Sequence, residues 1–172
     1  MKVIFYIASS VNGCIADVSG ETNWTKESNA SYISMCQSAG AIVMGRKTYE
    51  EYLTLPDSDW PNQHGPTVVL TSQPKLTKNK FESYLAKTPV DAINLFKELG
   101  KREVIIIGGN QTWTSFMRNN LVDEIYIDIE PVAFGNGKAL FQGADFDVRL
   151  ELLESKSLNS HTIQLHYLIA KP

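Results

Sequence analysis

The sequence predicts a three-layer α/β/α fold with a mostly parallel central sheet and antiparallel strands at one edge. Two observations predict it. Apolar, β-rich runs alternate with helical patterns through roughly the first three-quarters of the chain, and the last two extended segments follow each other with no helix between them. Strands that alternate with helices favour parallel pairing, whereas consecutive strands favour antiparallel pairing.

Each element is assigned from local residue patterns. The predicted strands cover residues 2–8, 41–44, 67–70, 104–107, 125–129, 148–155 and 161–170. The predicted helices cover residues 26–39, 49–53 and 89–99 and a segment around 113–117, and residues 9–25 and 135–143 are predicted loops. The strands are short apolar runs that end at turn residues, and the helices carry apolar residues at helical spacing.

The third helix has the clearest boundaries. Thr88 is a capping residue, Pro89 suits the first helical position, and Asp91 places a negative charge near the positive end of the helix. Gly100 ends the helical pattern. The aliphatic run 104–107 that follows is typical of a strand covered on both faces.

Composition favours a single domain over residues 1–172. The chain is 43% hydrophobic and 20% charged, which is enough apolar material for one core and excludes a largely disordered chain. The net charge is −3, and the only basic cluster, Lys75, Lys78 and Lys80, is short and is interpreted as a solvated loop. We therefore expect no nucleic-acid partner.

No segment is long and apolar enough for a membrane span, and the N-terminus lacks the apolar length of a signal peptide. We expect a cytoplasmic protein without a membrane partner. Cys14 and Cys36 are far apart and have no CxxC pattern or flanking histidines, so we expect neither a metal site nor a disulfide. Cys36 lies in a helical apolar pattern and is predicted to be part of the core.

Three strand ends carry residues suited to binding phosphate. These residues are Gly45, Arg46, Lys47 and Thr48 after the second strand, Thr71, Ser72 and Gln73 after the third, and Gly108, Gly109, Asn110 and Gln111 after the fourth. The carboxyl ends of parallel strands meet at one edge of a sheet, where ligands of open α/β folds bind. Glycines allow close approach of the backbone, arginine can bind a phosphate with two hydrogen bonds, and hydroxyls donate. A dinucleotide site is one interpretation; the other is that each glycine only permits a turn.

The same segments carry a family resemblance. Residues 44–50, MGRKTYE, resemble the MGRxTWE segment of dihydrofolate reductases, and residues 70–74 and 106–109 resemble the LSSQP-like and IGG segments of that family. Residues 10–16, SVNGCIA, are closer to the S-L-D-G-x-I-A pattern in the reductase half of bifunctional riboflavin-biosynthesis enzymes. Residues 135–143 also resemble a glycine-rich segment of that half. The chain thus resembles the dihydrofolate-reductase-like superfamily, and within it the RibD C-terminal branch.

This resemblance implies NADPH as the cofactor. It places Ala8 and Ile15 near the nicotinamide. It places Gly45, Arg46, Lys47, Thr48, Thr71, Ser72 and Gln73 around the adenosine phosphates, and Ile107, Gly108, Gly109, Asn110, Gln111 and Thr112 at the pyrophosphate. It also implies a cis peptide bond between Gly108 and Gly109. An ordinary G-x-G-x-x-G fingerprint after the first strand is absent, so the site differs from a Rossmann site.

The catalytic candidates are Glu27, Asn29 and Asp128. Dihydrofolate reductases have a carboxylate sixteen positions before the glycine of the GR motif, and here that position is Asn29. An amide can orient a ring by hydrogen bonding but cannot supply a proton, which puts genuine folate reduction in doubt. Glu27 is the nearest acid, although it could serve only the helix dipole. Asp128 is expected at a strand end, either in a functional role or as a solvated acid.

The roles of Trp24 and of the histidines near the end of the chain are also interpreted from their positions. Trp24 is a candidate for stacking on a planar substrate, although an aromatic residue before a helix also serves as a packing staple. His161 and His166 alternate with Thr162 and Gln164, which predicts a solvent-facing side of the last strand.

The leading hypothesis is an NADPH-dependent reductase that transfers hydride to a small pterin-like or ribosylaminopyrimidine-like substrate. The alternative is a non-catalytic nucleotide-binding module of the same fold, and a true dihydrofolate reductase is third. The two closing strands could supply a homodimer surface or simply pack internally. Their apolar residues are Leu150, Leu152, Ile163, Leu165 and Tyr167.

Overall fold

The computed structural model describes residues 1–76, 78–141 and 143–170. The strands are β1 (Lys2–Ser10), β2 (Cys14–Asp17), β3 (Ile42–Gly45), β4 (Thr67–Leu70), β5 (Ser83–Ala86), β6 (Glu103–Ile106), β7 (Glu124–Glu130), β8 (Gly137–Ala139), β9 (Leu150–Ser157) and β10 (Ile163–Ile169). The helices are α1 (Lys26–Ala39), α2 (Arg46–Tyr52), α3 (Pro89–Glu98) and α4 (Asn110–Arg118). Within the described ranges, none of the helices has both the length and the apolar character that crossing a membrane requires.

Eight strands form one sheet in the order β5-β4-β3-β6-β1-β7-β10-β9. The first six are parallel to one another, and β10 runs antiparallel to both β7 and β9. The predicted α/β fold class, with its parallel centre and antiparallel edge, is confirmed. The helical crossovers produce the parallel part, and the direct β9-to-β10 connection produces the antiparallel edge.

The best-defined helix boundaries follow from their end residues. Thr88 and Asp91 form a reciprocal capping box at the start of α3, with Pro89 as its first residue. The α1 helix covers the predicted residues and ends at Gly40, whose φ of 62° is left-handed. A residue without a side chain adopts that conformation at little cost, so the helix ends there.

Each face of the sheet buries its own core. On the α3 and α4 face, Phe5 packs with Phe96 and Phe116, and on the α1 and α2 face, Ile4 packs with Cys36 and other side chains. Cys36 is fully buried, as predicted. The faces separate cleanly because successive strand residues point to opposite sides.

The α1 helix is less amphipathic than its sequence pattern implied. Of its residues, Ser28 and Cys36 are buried, whereas Ala30 is exposed. The sheet beneath α1 presents the buried polar side chains of Asp128 and Gln164 as well as apolar ones. A helix that covers a partly polar surface needs less of an apolar stripe.

Several local expectations were wrong. Strands β2, β5 and β8 lie in segments that were not assigned as strands, and α2 begins at Arg46 rather than at residue 49. The missed strands have only three or four residues, and β2 pairs with the distant β8. Pairing between remote short segments leaves no periodic pattern in either segment, so the sequence could not reveal it.

Two polar residues are less solvated than predicted. His166 does not face solvent: its ring stacks on Tyr126 at 3.9 Å between centroids, and Nε2 lies 2.9 Å from a Glu124 carboxylate oxygen. Lys80 pairs with Asp57 at 2.8 Å, and its ammonium group lies over the Trp60 ring. Both are held by partners from distant parts of the chain.

Candidate functional site

The carboxyl ends of β3 and β6 converge on each other. The Gly45 N–H donates to the Gly108 carbonyl oxygen at 2.7 Å, which joins two corners that are 63 residues apart in sequence. A Cβ atom at Gly45 would lie 2.6 Å from the Thr112 hydroxyl oxygen. The close approach of the two corners therefore requires glycine at position 45.

The paired glycines form the centre of this junction. The Gly108–Gly109 peptide bond is cis, and Gly108 has a φ of +141°. The Thr48 hydroxyl oxygen would lie 3.4 Å from a Cβ at Gly108 and 3.6 Å from one at Gly109. A Cβ atom at either glycine would meet Thr48 in van der Waals contact, so the φ of Gly108, rather than a lack of space, favours glycine there.

The start of α4 offers backbone donors. No side chain caps this helix at Gly109, so the N–H groups of its first turn are not satisfied by a capping oxygen. Such N–H groups, together with the helix dipole, favour an anion. Of the residues in this first turn, Asn110 is half-buried, Gln111 is exposed and Thr112 is buried.

Two cationic side chains stand beside this junction. Arg46 and Lys47 are exposed at the start of α2, and Arg46 is 3.5 Å from Glu50 in an ion pair. Exposed pairs of this kind contribute little, so Arg46 can exchange its partner for a phosphate at low cost. The arrangement places positive charge next to the donors of α4.

The segment that follows β4 forms a third corner, one strand further along the sheet. Thr71 is half-buried after β4, and Ser72 and Gln73 are exposed. The Gln73 N–H donates to the Thr71 hydroxyl oxygen at 3.1 Å. Because β4 pairs with β3, this corner continues the same edge of the sheet.

These groups fit a dinucleotide. The edge offers backbone N–H groups, hydroxyls, one guanidinium and one ammonium, with glycines where the backbone must come close. Ala8 is half-buried near the end of β1, next to β6, and Ile15 is half-buried on β2. Ile107, the last residue before the paired glycines, is buried and packs under α1 and α2.

An open cleft of about 640 Å³ lies between the segment after β2 and α2. Its lining residues are Glu21, Thr22, Lys47, Glu50, Glu51, Thr54 and Leu55. Lys47 lines this cleft and also lies after β3, among the residues predicted to bind phosphate. The cleft therefore adjoins the candidate cofactor site.

Asp128 is completely buried, which excludes a solvated acid. It lies within β7 rather than at its end, and it is directly opposite Ala8 in the register with β1. Its carboxylate accepts hydrogen bonds from the Tyr6 hydroxyl at 2.5 Å and from the Gln164 amide at 2.7 Å. Burial raises the pKa of Asp128, and the donors from Tyr6 and Gln164 oppose that rise.

The other two catalytic candidates lie on the outside of α1. Asn29 is exposed, and Glu27 is exposed with its carboxylate accepting from the Asn159 amide at 3.1 Å. Hydrogen bonds lower the pKa of Glu27, so it is poorly suited to supplying a proton. Between them, Ser28 is the residue that faces inwards.

Trp24 is half-buried, and its ring lies 6.2 Å from the Phe134 ring. This contact joins the segment before α1 to the segment after β7. The packing interpretation of Trp24 accounts for the contact, and its partial exposure leaves an aromatic edge available for stacking.

Sequence reasoning missed the residues around Asp128. Tyr6, Gln164 and Ser28 surround it, and Glu130 is buried two positions further along β7. One available pattern was the polar alternation of Asp128 with Glu130 and of Thr162 with Gln164. Polar residues at every second position of a strand ordinarily form a face in contact with solvent, so the pattern predicted an exposed face.

Comparison with known proteins gives a family match over most of the chain. The model of the RibD C-terminal domain family matches residues 1–164. The uncharacterised Bacillus subtilis protein YwjB is 27% identical over 173 residues, with 98% of each chain covered.

Solved structures show the same relationship. A Shewanella protein assigned by name to riboflavin biosynthesis is 27% identical with a TM-score of 0.76, covering 99% of this chain and all of the other. A deaminase and 5-amino-6-(5-phosphoribosylamino)uracil reductase from Thermotoga maritima shares the fold at 17% identity and a TM-score of 0.79; the match covers 98% of this chain and 56% of that one. The convergent glycine corners and the family match together show that the chain belongs to the RibD C-terminal domain family.

Proposed function

We propose that this protein is an NADPH-dependent reductase that transfers hydride to a small pterin-like or ribosylaminopyrimidine-like substrate. The observation that carries the proposal is the junction of Gly45 with Gly108, which brings phosphate-binding groups from β3, β4 and β6 to one edge. Membership in a family that contains pyrimidine reductases supports the reaction type.

In this reaction the protein would bind NADPH and align it with the substrate. The uncapped start of α4 and the Gly45–Gly108 junction would hold the pyrophosphate, and Arg46 and Lys47 would neutralise its charge. Ala8 would support the nicotinamide at the end of β1. NADPH supplies the hydride, and the binding residues fix its position relative to the substrate.

A ribosylaminopyrimidine-like substrate suits the site better than dihydrofolate does. The position of the folate-binding carboxylate is occupied by Asn29, which is exposed. The exposed amide at this position separates the site from that of a dihydrofolate reductase.

Oxidation of NADPH tests the proposed activity. Purified protein is mixed with NADPH and either 5-amino-6-(5-phosphoribosylamino)uracil, dihydrofolate or simple pterins, and loss of NADPH is followed by absorbance. We expect turnover with a pyrimidine or pterin and little with dihydrofolate. Binding of NADPH without oxidation across this panel would favour the non-catalytic nucleotide-binding module, which the exposed amide of Asn29 also permits.

Arg46→Ala is expected to weaken NADPH binding at least about tenfold. The substitution removes a charge-assisted contact to phosphate, and a single contact of this kind contributes on the order of 1.5–3 kcal/mol. Calorimetric titration measures the change. The matched control is Arg102→Ala, because Arg102 is also exposed but directly precedes β6 at the opposite edge of the sheet. Equal effects of the two substitutions would show that Arg46 does not contact the cofactor.

The exposed edge of the sheet supports a homodimer. All eight residues of β9 are exposed, and Leu152 and Leu153 are 53% and 48% accessible. Tyr167 of β10 packs against the core instead, and Leu165 is half-buried. An edge strand that exposes three leucines among polar residues is a site for association, so we propose that two copies pair through β9.

Leu152→Glu is expected to shift the protein from dimer to monomer. A charge at the centre of an apolar interface is desolvated without a partner and so disfavours pairing. Sedimentation at tens of micromolar protein measures the oligomeric state. The control Val18→Glu alters a residue that is 72% exposed on the segment after β2 and leaves the dimer intact. A monomeric wild-type protein would contradict the dimer.

A further inference from the structure

Glu130 is a buried acidic residue at the edge of the sheet that carries the candidate site. It is 2% accessible, ends β7, and lies opposite Ser10, the last residue of β1. Among residues 1–76, 78–141 and 143–170, no lysine, arginine or histidine forms an ion pair with it. A buried carboxylate is costly unless its oxygens accept hydrogen bonds, and an apolar side chain would avoid that cost. The hydrogen-bond partner of Glu130 therefore indicates what this residue does.

Both oxygens of Glu130 bind the same residue, Thr25. Oε2 accepts from the Thr25 N–H at 3.2 Å, and Oε1 accepts from the Thr25 hydroxyl at 3.1 Å. Thr25 already caps α1, because its side chain accepts from the Ser28 N–H. The helix start is thus capped without Glu130. Glu130 adds a fixed link between the end of β7 and the segment that enters α1.

Trp24 directly precedes this linked position. An apolar residue before a helix cap commonly packs on the fourth residue of the helix, which here is Asn29. Asn29 is polar and exposed, so Trp24 does not form such a staple. Its ring instead lies 6.2 Å from the Phe134 ring, on the segment after β7. Trp24 and Phe134 are both half-buried, so each side chain keeps some free surface.

Phe134 is held by the side chain of Asn12. The Asn12 amide donates to the Phe134 carbonyl at 2.7 Å, and its oxygen accepts from the Phe134 N–H at 3.1 Å. The same oxygen accepts from the Ser10 hydroxyl at 2.8 Å, which links Asn12 to the end of β1. Each aromatic residue is therefore held by a polar side chain at or beside a strand end: Trp24 through Glu130, and Phe134 through Asn12.

The residues that hold the two rings lie close to the candidate position of the nicotinamide. Ser10 and Glu130 are opposite each other, and Ala8 is two residues before Ser10 on β1. Two strand residues advance the chain by about 6–7 Å. Glu21 and Thr22, in the segment that leads to Trp24, line the cleft beside α2. Aromatic side chains with free surface beside a cofactor position suit a planar heterocycle.

We propose that Trp24 and Phe134 form an aromatic wall that contacts the planar ring of the substrate, with Glu130 and Asn12 as positioning residues that hold this wall. The inference rests on the proposed reductase function and adds the residues that recognise the substrate ring. The two rings are inclined at 49°, so a ligand ring stacked on one of them meets the other at an angle, as aromatic groups favour. Holding the wall before the substrate arrives lowers the entropy lost on binding.

Tryptophan fluorescence tests the positioning role without a substrate. Trp60 and Trp113, the other two tryptophans, are 1% and 4% accessible, so acrylamide quenches mainly Trp24. Glu130→Gln leaves one acceptor oxygen where two are used, and is expected to increase this quenching. The control Glu98→Gln, exposed at the end of α3, leaves it unchanged. Quenching of Glu130→Gln equal to that of the wild type would contradict the positioning role.

Kinetics with 5-amino-6-(5-phosphoribosylamino)uracil test the contact with the substrate. Phe134→Ala and Glu130→Gln are expected to raise KM about five- to tenfold, with kcat and the Kd for NADPH little changed. Phe134→Ala tests the wall even if Glu130→Gln does not fold. The control Phe81→Ala truncates a ring that is 37% accessible just before β5, at the opposite edge of the sheet, and leaves KM unchanged.

Further outcomes separate this proposal from the proposed function. The pyrimidine is expected to protect Trp24 from acrylamide, and Phe134→Tyr, which keeps the ring, is expected to retain a KM near that of the wild type. Failure of the wild-type protein to bind NADPH contradicts the reductase function. Turnover of the pyrimidine without protection of Trp24, or with an unchanged KM in Phe134→Ala, contradicts the aromatic wall alone.

Discussion

Gly108→Ala is expected to weaken NADPH binding at least tenfold and to lower the free energy of unfolding by about 1–3 kcal/mol. The φ of Gly108 is +141°, a conformation that residues with a side chain rarely adopt. The added methyl group would also lie 3.4 Å from the Thr48 hydroxyl oxygen, inside the junction. The unfavourable φ displaces the backbone that, in our proposal, contacts the pyrophosphate. Calorimetry measures the affinity and urea unfolding measures the stability.

The control for this substitution is Gly135→Ala. A Cβ atom at Gly135 would have no neighbour within 4 Å, and its φ is not in the left-handed region. We expect unchanged stability and unchanged affinity for NADPH. If the two alanine variants behave alike, the conformation of the paired glycines does not matter for the cofactor.

Trp113→Ala is expected to lower the free energy of unfolding by about 3–5 kcal/mol. Trp113 is 4% accessible, packs edge-to-face on Phe5 at 5.2 Å between centroids, and donates from its indole N–H to the Ile106 carbonyl at 3.1 Å. It thereby attaches the first turns of α4 to the end of β6. Loss of the ring leaves a cavity and removes this hydrogen bond directly below the candidate site.

Trp113→Phe separates packing from hydrogen bonding. Phenylalanine keeps much of the ring contact and loses the indole donor, so we expect a cost of about 1–2 kcal/mol. Urea unfolding of both variants measures the difference. An alanine variant within 1 kcal/mol of the wild type would show that the core relaxes around the lost ring, contrary to the tight packing described here.

The elements that carry their own boundary residues could be predicted from the sequence. Helix α3 has a capping box and a first-turn proline, and α1 ends at a left-handed glycine; both were assigned close to their observed limits. Parallel pairing followed from the alternation of strands with helices. These features depend on residues close together in the chain.

The features that could not be predicted depend on distant partners. Strand β8 exists because Gly137–Ala139 pairs with β2, and His166 is covered because Tyr126 and Glu124 lie on the neighbouring strand. Asp128 was identified as a candidate, but its burial depends on Tyr6 and Gln164, more than 30 residues away on either side. Local patterns cannot distinguish a polar strand face that meets solvent from one that meets a helix.

The candidate cofactor site could be predicted in part from the sequence. The residues at each strand end were recognisable, and the structure brings the Gly45 and Gly108 corners together. The contact of Gly45 with Thr112 and the position of Thr48 against both glycines emerge only from the folded chain. Close packing of backbone on backbone has no sequence pattern beyond the glycines themselves.

Titration of the wild-type protein with NADPH and with NADH by calorimetry tests the central claim most directly. We expect saturable binding of one NADPH per chain at micromolar concentration, with weaker binding of NADH because it lacks the extra phosphate. Absence of binding by either cofactor up to millimolar concentration would show that the glycine corners serve only the fold, and would contradict the reductase function.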